Sequence, residues 1–431
     1  MLKFLHTADI HLDSPLRSLA LRDRELQSHV HVATRAVLRK IVNLAIEEKV
    51  AALLLAGDVF DNARRSARSL AFLRAQLERL KTANIPVFYI KGNHDAENSL
   101  TDIMDWPDNV TIFSGRGETF PLGQKALDGR AVYVHGVSFA KRQAPNLLDK
   151  FPAPVANAVN IGLLHTSLNG AAGHDVYAPC TVDELMAKGY DYWALGHIHK
   201  RQVYHEQNPL IVMPGAPQGR DIGEEGDKSV SLVRLTADGT WQEEAKILAD
   251  TAFYRCAVAL DGVEETSAVH DKITAALQEL RRTVKTHDAI VRLSLQGATK
   301  LHWQIALDED YWQKSAVETA ADIGGLWIEK LDLQLTGETS NQSDSSAENA
   351  LPAAELTALM QKAADTPELQ QDSLKNINKL LSFLPPEARK LWPDMKPEEL
   401  AARFLPAGAE NIAALLSAYG QSGEQAEEEN E

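Results

Sequence analysis

Cysteine is nearly absent: the 431 residues include only Cys180 and Cys256. Two thiols make no disulfide framework, so a reducing compartment is expected, with both cysteines buried or incidental. Long apolar runs are missing as well. No stretch approaches the length that spans a bilayer, and the opening M-L-K-F-L-H-T-A-D turns polar too early for a signal peptide. No membrane association is expected, and the cytoplasm is the expected address. Basic charge is scarce too. Against 60 Asp and Glu stand 44 Lys and Arg, a net charge of −16, which argues against a broad nucleic-acid-binding face. Half of that excess is local: five acids lie in 421–431 and three in 337–350, both of which read as disordered. The remaining −8 weakens a DNA reading without excluding it, because metals and local Arg clusters offset it.

What remains is an ordinary composition, 44% hydrophobic and 24% charged, in a chain long enough for two or three domains. Over 1–250, apolar strands alternate with helical stretches: L-K-F-L-H-T-A, A-A-L-L-L-A-G, V-F-Y-I-K-G, A-V-Y-V-H-G, I-G-L-L-H and Y-W-A-L-G. Helical patterns separate the first three. This predicts an α/β layout, in which polar residues at strand C-terminal ends line the ligand crevice. Residues 251–336 read as a small separate α+β domain, with strands at R-C-A-V-A-L, A-I-V-R-L-S-L-Q-G, W-Q-I-A-L and W-I-E-K-L-D-L-Q-L around one helix. Residues 337–350 read as a linker, 351–420 as a Leu/Ala-rich helical segment and 421–431 as an acidic tail.

The strand ends carry the chemistry. The first runs into Asp9 and His11, the second into Asp58 and Asp61, and the third into Asn93, His94 and Asp95. Later strands end at His165 and at Gly196, before His197 and His199. A lone His at a strand end is usually structural, but five such clusters on separate strands are hard to assign to chance. Asp and His one residue apart point the same way in extended backbone, and the same holds for His197 and His199 if the backbone there is extended. Counting gives seven ligands: Asp9, His11, Asp58, Asn93, His165, His197 and His199. Oxygen and imidazole donors without thiolate favour Mn²⁺, Fe²⁺ or Zn²⁺, with Mg²⁺ also admissible. Seven exceed one tetrahedral site and suit two ions ~4 Å apart, the usual device for phosphoester displacement.

The order D-x-H, G-D-x-x-D, G-N-H-D, H, G-H-x-H resembles that of the calcineurin-like metallophosphoesterases, over about residues 2–235. The resemblance implies a four-layer α/β/β/α sandwich with a small α+β capping domain and a helical C-terminal segment. It implies that one ion takes Asp9, His11 and His199, the other Asn93, His165 and His197, and that Asp58 bridges. It further implies that His94 is not a ligand but contacts the scissile phosphate and assists the leaving oxygen, oriented by Asp61. A carboxylate beside that imidazole favours the protonated form an acid catalyst needs. Asp95 is expected to pin the turn.

Finer stretches narrow the match. T-A-D-I-H-L-D-S-P-L-R, G-D-V-F-D-N and Y-W-A-L-G-H-I-H-K are similar to the bacterial DNA-repair exonuclease group of SbcD-like nuclease subunits, and L-D-S-P-L-R with P-G-A-P-Q-G-R favours its YhaO-type branch. One departure is Asp61, where the archaeal and eukaryotic double-strand-break nucleases of this family carry a second His. The implied activity is a Mn²⁺-dependent DNA exonuclease or endonuclease in DNA repair. The implied partners are DNA, a coiled-coil ATPase of the SMC/Rad50 type, and a second copy of the chain. The ATPase would dock on helical stretches L-K-N-I-N-K-L-L-S-F-L and N-I-A-A-L-L-S-A-Y. The alternatives are a phosphodiesterase for nucleotides or other small phosphoesters, and a metal-bound regulatory subunit slow on its own. Arg65 and Arg220 are the first candidates for gripping backbone phosphates, with Arg64, Arg68, Lys141, Arg142, Lys200 and Arg201 nearby in sequence. His6 and His135, within strands, are expected to be core residues or supports to the ligands.

Overall fold

The computed structural model describes residues 1–14, 32–61, 67–97, 105–142, 144, 146–169, 177–337, 362–363, 366–383, 396–402, 404–405 and 408. The chain forms two compact units. One comprises Met1–Arg255, Glu279–Arg292 and Ile323–Glu329, and the other Cys256–Gln278, Leu293–Asp322 and Lys330–Glu431. The linker after Gly337, most of 351–420 and the whole of 421–431 lie outside the described residues.

Strands β1 (Leu2–Thr7), β2 (Ala52–Leu55), β3 (Val87–Tyr89) and β4 (Val110–Ile112) run parallel in one sheet. β5 (Glu118–Lys125), β6 (Ala131–Gly136), β7 (Ala158–His165), β8 (Tyr192–Gly196), β9 (Gln202–His205) and β10 (Leu210–Met213) form a second sheet, in the order β5-β6-β7-β8-β10-β9. The chain then returns to the first sheet. β11 (Ser229–Leu235) and β12 (Trp241–Ile247) complete it antiparallel, in the order β12-β11-β1-β2-β3-β4.

Period-two side-chain alternation explains the layering. Phe4 and Leu54 turn into the space between the sheets, where they meet Val134, Ile161 and Leu163. Their neighbours Leu5, Leu53 and Leu55 turn outward onto α1 (Ala33–Glu47) and α2 (Ala67–Thr82). Those helices offer matching stripes, with Leu38, Ile41, Val42 and Ala45 on α1 and Leu73, Leu77 and Leu80 on α2. The outer face of the second sheet is covered by Phe139, Leu147, Phe151 and the short α3 (Val182–Ala187), which contributes Leu185. Strands covered on both faces read as continuous apolar runs, and all eight residues of β7 are buried. The result is the expected four-layer α/β/β/α sandwich, with a thin fourth layer.

After it come β13 (Thr251–Ala259), α4 (Thr266–Thr283), β14 (Asp288–Ala298), α5 (His302–Leu307), α6 (Glu309–Ile323) and β15 (Leu326–Thr336), whose strands form a sheet in the order β13-β14-β15. The strand expected at W-Q-I-A-L is wrong: it is helix α5. Within it only Ile305 is buried, and so short a run, apolar but for Gln304, does not distinguish a strand from a packed helix. The next helix, α6, buries Trp312, Ala316 and Ala320 at four-residue spacing. L-K-N-I-N-K-L-L-S-F falls in α7 (Pro367–Phe383), which has no buried residue, whereas N-I-A-A-L-L-S-A-Y lies outside the described residues. Both cysteines are buried and free. Among the described residues no helix is long and apolar enough to cross a membrane.

Candidate metal centre

The strands of the two sheets end level with one another. Thr7 pairs with Leu55 and Leu55 with Tyr89, so the loops after β1, β2 and β3 leave from one edge. In the second sheet His165 pairs with Gly196, so the last residue of β7 stands beside the one preceding His197. Backbone bonds then zip the loops together. Asp9 N–H donates to Gly57 O at 3.0 Å, His11 N–H to Asp58 O at 3.1 Å and Leu12 N–H to Val59 O at 2.9 Å. The Asp95 carboxylate accepts from the amides of Phe60 at 2.9 Å and of Val59 and Gly92 at 3.2 Å. Asp95 therefore pins the turn, as expected, and ties the second motif to the third.

Several bonds join the sheets at this edge, among them Phe139 N–H to Lys91 O at 3.0 Å. His165 Nδ1–H donates to Ala56 O at 2.9 Å, and His197 N–H donates to Asp9 Oδ2 at 2.9 Å. So close an approach requires glycine. A Cβ on Gly196 would stand 2.1 Å from Ala56 O, and one on Gly92 would stand 2.2 Å from Asp58 Oδ1.

The extended backbone that would align the D-x-H and H-x-H pairs is not what is found. Asp9, His11 and Asp58 have φ of 54°, 45° and 51°, and His197 has 103°. These residues lie past the strand ends in left-handed turns, so turn geometry rather than a shared pleat face brings the side chains together. Non-glycine residues are strained there, and such strain persists only where surrounding structure imposes it, here the loop-to-loop bonds.

All seven expected ligands meet at this edge, with His94 beside them. One donor atom each from Asp9, His11 and His199 lie within 4.8 Å of one another, as do those of Asp9, Asp58 and His165, and of His11, Asp58 and His94. His11 Nε2 and His199 Nε2 are 3.2 Å apart, and His199 Nε2 is 3.8 Å from Asp9 Oδ1. His165 Nε2 stands 3.0 Å from Asn93 Oδ1 and 3.4 Å from Asp58 Oδ2. The His197 ring lies 5.2 Å from that of His165.

This donor set suits a cation. With its Nδ1–H committed to Ala56, a neutral His165 turns a lone pair toward two oxygen acceptors, and nothing in that triangle donates. Buried Asp9 Oδ1 and His11 Nδ1 have no hydrogen-bond partner. In the metal-free protein a proton takes the cation's part at His165. Burial works against its charge, but Asp58, Asp9 and the Ala56 carbonyl together outweigh burial and the His165 pKa rises to about 9. Burial likewise opposes ionisation of Asp58, yet the field and hydrogen bond of His165 hold its pKa below the usual carboxylate range. At Asp9 burial wins and the pKa is raised.

His94, like His199 at 20%, is more exposed than Asp9, Asp58 and His165. Its side chain is 29% exposed, against 0% for His165, so it faces the opening. Its amide donates to Asp58 Oδ1 at 2.9 Å, and its Nδ1 lies 3.7 Å from Asp61 Oδ1, an ion-pair separation. Asp61 in turn accepts from Ser14 Oγ at 2.8 Å. Burial lowers the His94 pKa, but Asp61 and Asp58 together outweigh it, and the pKa is raised.

Arg220 reaches the centre, yet its Nη2 and Nε donate to Glu224 Oε1 at 2.8 and 3.1 Å. Arg64 and Arg65 lie outside the described residues. Arg201 pairs with Glu243, and Arg35 with Asp13. Histidines 6 and 135 are core residues: His135 bonds Asn160 and Thr119, each at 2.9 Å. Sequence reasoning missed Ser14 and Glu224. The only signal for Glu224 is its position four residues after Arg220, which any surface ion pair shares.

The calcineurin-like phosphoesterase family matches residues 2–201, and the middle domain of metallophosphoesterase YhaO matches 253–336. Among known proteins the chain is 34% identical over 351 residues to the "Uncharacterized metallophosphoesterase YhaO" of Bacillus subtilis (strain 168), spanning 80% of this chain and 83% of that one. It is 27% identical over 222 residues to the "DNA double-strand break repair protein Mre11" of Sulfurisphaera tokodaii, spanning 50% of this chain and 54% of that one. It is 23% identical over 281 residues to the SbcD component of the nuclease SbcCD of Bacillus subtilis, spanning 56% and 69%. Proteins of this family work with two divalent metal ions, for which this edge offers a donor cluster. The extent and identity of the YhaO match, on a fold whose two sheets converge on that cluster, place the chain in the calcineurin-like metallophosphoesterases, as a YhaO-type, metal-dependent phosphodiester hydrolase.

Proposed function

We propose that the chain is a Mn²⁺-dependent nuclease that hydrolyses phosphodiester bonds of DNA ends or single strands in DNA repair. The observation that carries this reading is the convergence of Asp9, His11, Asp58, Asn93, His165, His197 and His199 from the two sheets, with His94 open to solvent beside them. Asp9, His11 and His199 would hold one ion, Asn93, His165 and His197 the other, and Asp58 both. When bound, the ions supply positive charge against the phosphate oxygens and acidity to water. The chain's own residues do the rest. His94 holds a proton on the ring nitrogen away from Asp61 and gives it to the departing oxygen. Asp61, fixed by Ser14, orients that ring. Arg65 and Arg220 would contact phosphates flanking the scissile one.

Choosing DNA as the substrate draws on the relatives named for double-strand break repair and for the SbcCD nuclease. A coiled-coil ATPase of the SMC/Rad50 type would dock on 351–420, where α7 leaves Leu380 and Phe383 exposed. In this reading 1–250 is the nuclease domain, 251–336 a cap, 337–350 a linker and 421–431 an acidic tail. The protein would act in the cytoplasm, as a homodimer. A second reading, a phosphodiesterase for small phosphoesters, is favoured by the net charge of −16 and by the pairing of Arg35, Arg201 and Arg220 to carboxylates.

Hydrolysis of labelled linear DNA and of bis-p-nitrophenyl phosphate with Mn²⁺ separates the two, with Asp58→Asn controlling for contaminants. DNA degradation that vanishes in the variant supports the nuclease. Turnover of the small diester alone, unchanged when a cognate ATPase is added, supports the second reading.

A further inference from the structure

The back of His199 is contested. Its Nε2 faces the cluster, 3.2 Å from His11 Nε2 and 3.8 Å from Asp9 Oδ1, so Nδ1 is the nitrogen turned away. There Glu224 Oε1 stands 2.6 Å off and Arg220 Nη2 stands 3.0 Å off. These neighbours make opposite demands. A carboxylate only accepts, so it requires a proton on Nδ1 and leaves the lone pair on Nε2. A guanidinium only donates, so it requires the lone pair on Nδ1 and places the ring proton on Nε2, where it would block a cation.

Geometry favours the carboxylate. Glu224 is the nearer partner, and the same Oε1 draws in Arg220 Nη2 at 2.8 Å and Nε at 3.1 Å, while Oε2 accepts the Arg220 amide at 2.9 Å. The carboxylate is itself fixed in place. It ends a 3-10 turn, Ile222–Glu224, whose start is capped by Asp221 accepting from Gly223 N–H at 2.8 Å. Its side chain is 13% exposed, so water competes little for these bonds.

We propose that Glu224 is a positioning residue for the metal centre: it fixes His199 in the tautomer whose Nε2 lone pair is open to a divalent cation, against the opposing demand of Arg220. The inference rests on His199 being a ligand. Removing Glu224 leaves Arg220 to dictate the tautomer, so the site weakens although every ligand is present. Removing Arg220 as well lifts the wrong demand and returns part of the affinity. A merely structural role for Glu224 gives no such recovery, because the second deletion would only add damage.

The test is calorimetric titration of the EDTA-stripped full chain with Mn²⁺ alone, for the parent, Glu224→Ala, Glu224→Gln and Arg220→Ala/Glu224→Ala, with metal-free melting curves beside each. Glu224→Ala should weaken one class of Mn²⁺ site by ~10–100-fold, the usual effect of losing a ligand's carboxylate partner. Glu224→Gln, whose amide oxygen still accepts from Nδ1–H, should lose less. The double variant should bind Mn²⁺ several-fold more tightly than Glu224→Ala, by about the factor that one corrected hydrogen bond gives. Should Glu224→Ala melt early, Glu224→Leu, which fills the space and accepts no hydrogen bond, carries the same comparison with and without Arg220→Ala. Parent-like Mn²⁺ affinity in Glu224→Ala, or a double variant no tighter than the single one, overturns the inference while leaving the metal centre standing. A parent protein that binds no Mn²⁺ overturns both.

Discussion

His6 on β1 accepts the hydroxyl proton of Tyr192 on β8 at Nδ1, at 2.7 Å, and donates through Nε2–H to Leu195 O at 3.0 Å. One neutral imidazole thus joins the two sheets just behind the metal centre, with both nitrogens satisfied. Burial takes its pKa down from 6.5 to about 3, against the opposing pull of the Leu195 carbonyl. The sign follows from linkage. Below pH 6.5 the unfolded chain binds a proton that the fold refuses until about pH 3, so the stability His6 contributes is complete above 6.5 and is lost as pH falls. The slope in that window reaches ~1.4 kcal/mol per pH unit for this one group. His6→Gln should be less stable near neutrality but fall less steeply on acidification, read as urea midpoints across pH. Parallel curves for the two proteins would contradict this.

Asp95 accepts three backbone amides from two loops. Asp95→Ala leaves those donors buried, at about 1–3 kcal/mol each, so a loss of ~3 kcal/mol or more is expected in denaturant titrations with EDTA present. Mn²⁺ binding should weaken in parallel, since Asp58 and Asn93 sit on the loops it joins.

A methyl group at position 196 would meet the Ala56 carbonyl at 2.1 Å, the same oxygen that accepts from His165 Nδ1. Gly196→Ala therefore pushes the sheets apart at the metal-binding edge. A loss of roughly 3 kcal/mol, at the upper end for overpacking, is expected in melting experiments, together with weakened Mn²⁺ binding.

His94→Gln separates chemistry from coordination. Mn²⁺ stoichiometry by calorimetry should stay at the parent value, while turnover of a phosphodiester falls ~10²–10⁴-fold, the usual effect of losing a proton donor. A variant stripped of metal would instead make His94 a ligand, which its place within 4.8 Å of His11 and Asp58 donors allows geometrically.

The ligand candidates were legible in the sequence because donor types are distinctive and each follows an apolar run ending at the same edge. The backbone that gathers them was not. Left-handed φ at Asp9, His11, Asp58 and His197 is imposed by loop-to-loop bonds, with no glycine at those positions to announce it. Glu224 was invisible because its partner His199 lies 25 residues away, and a single acid in a loop carries no pattern. At α5 the limit is physical: a run as short as W-Q-I-A-L satisfies either period, and tertiary packing of Ile305 decides. The same applies to β9 and β12, strands with few fully buried residues, whose polar faces mask the alternation.

The most direct test of the account is Asp58→Asn, because Asp58 shares donor groups with Asp9 and His165 on one side and with His11 and His94 on the other. Mn²⁺ stoichiometry and bis-p-nitrophenyl phosphate hydrolysis would be measured on the same preparation as the parent. Loss of both bound ions together with hydrolysis is the predicted result. A variant that keeps the full rate would contradict a shared two-ion centre.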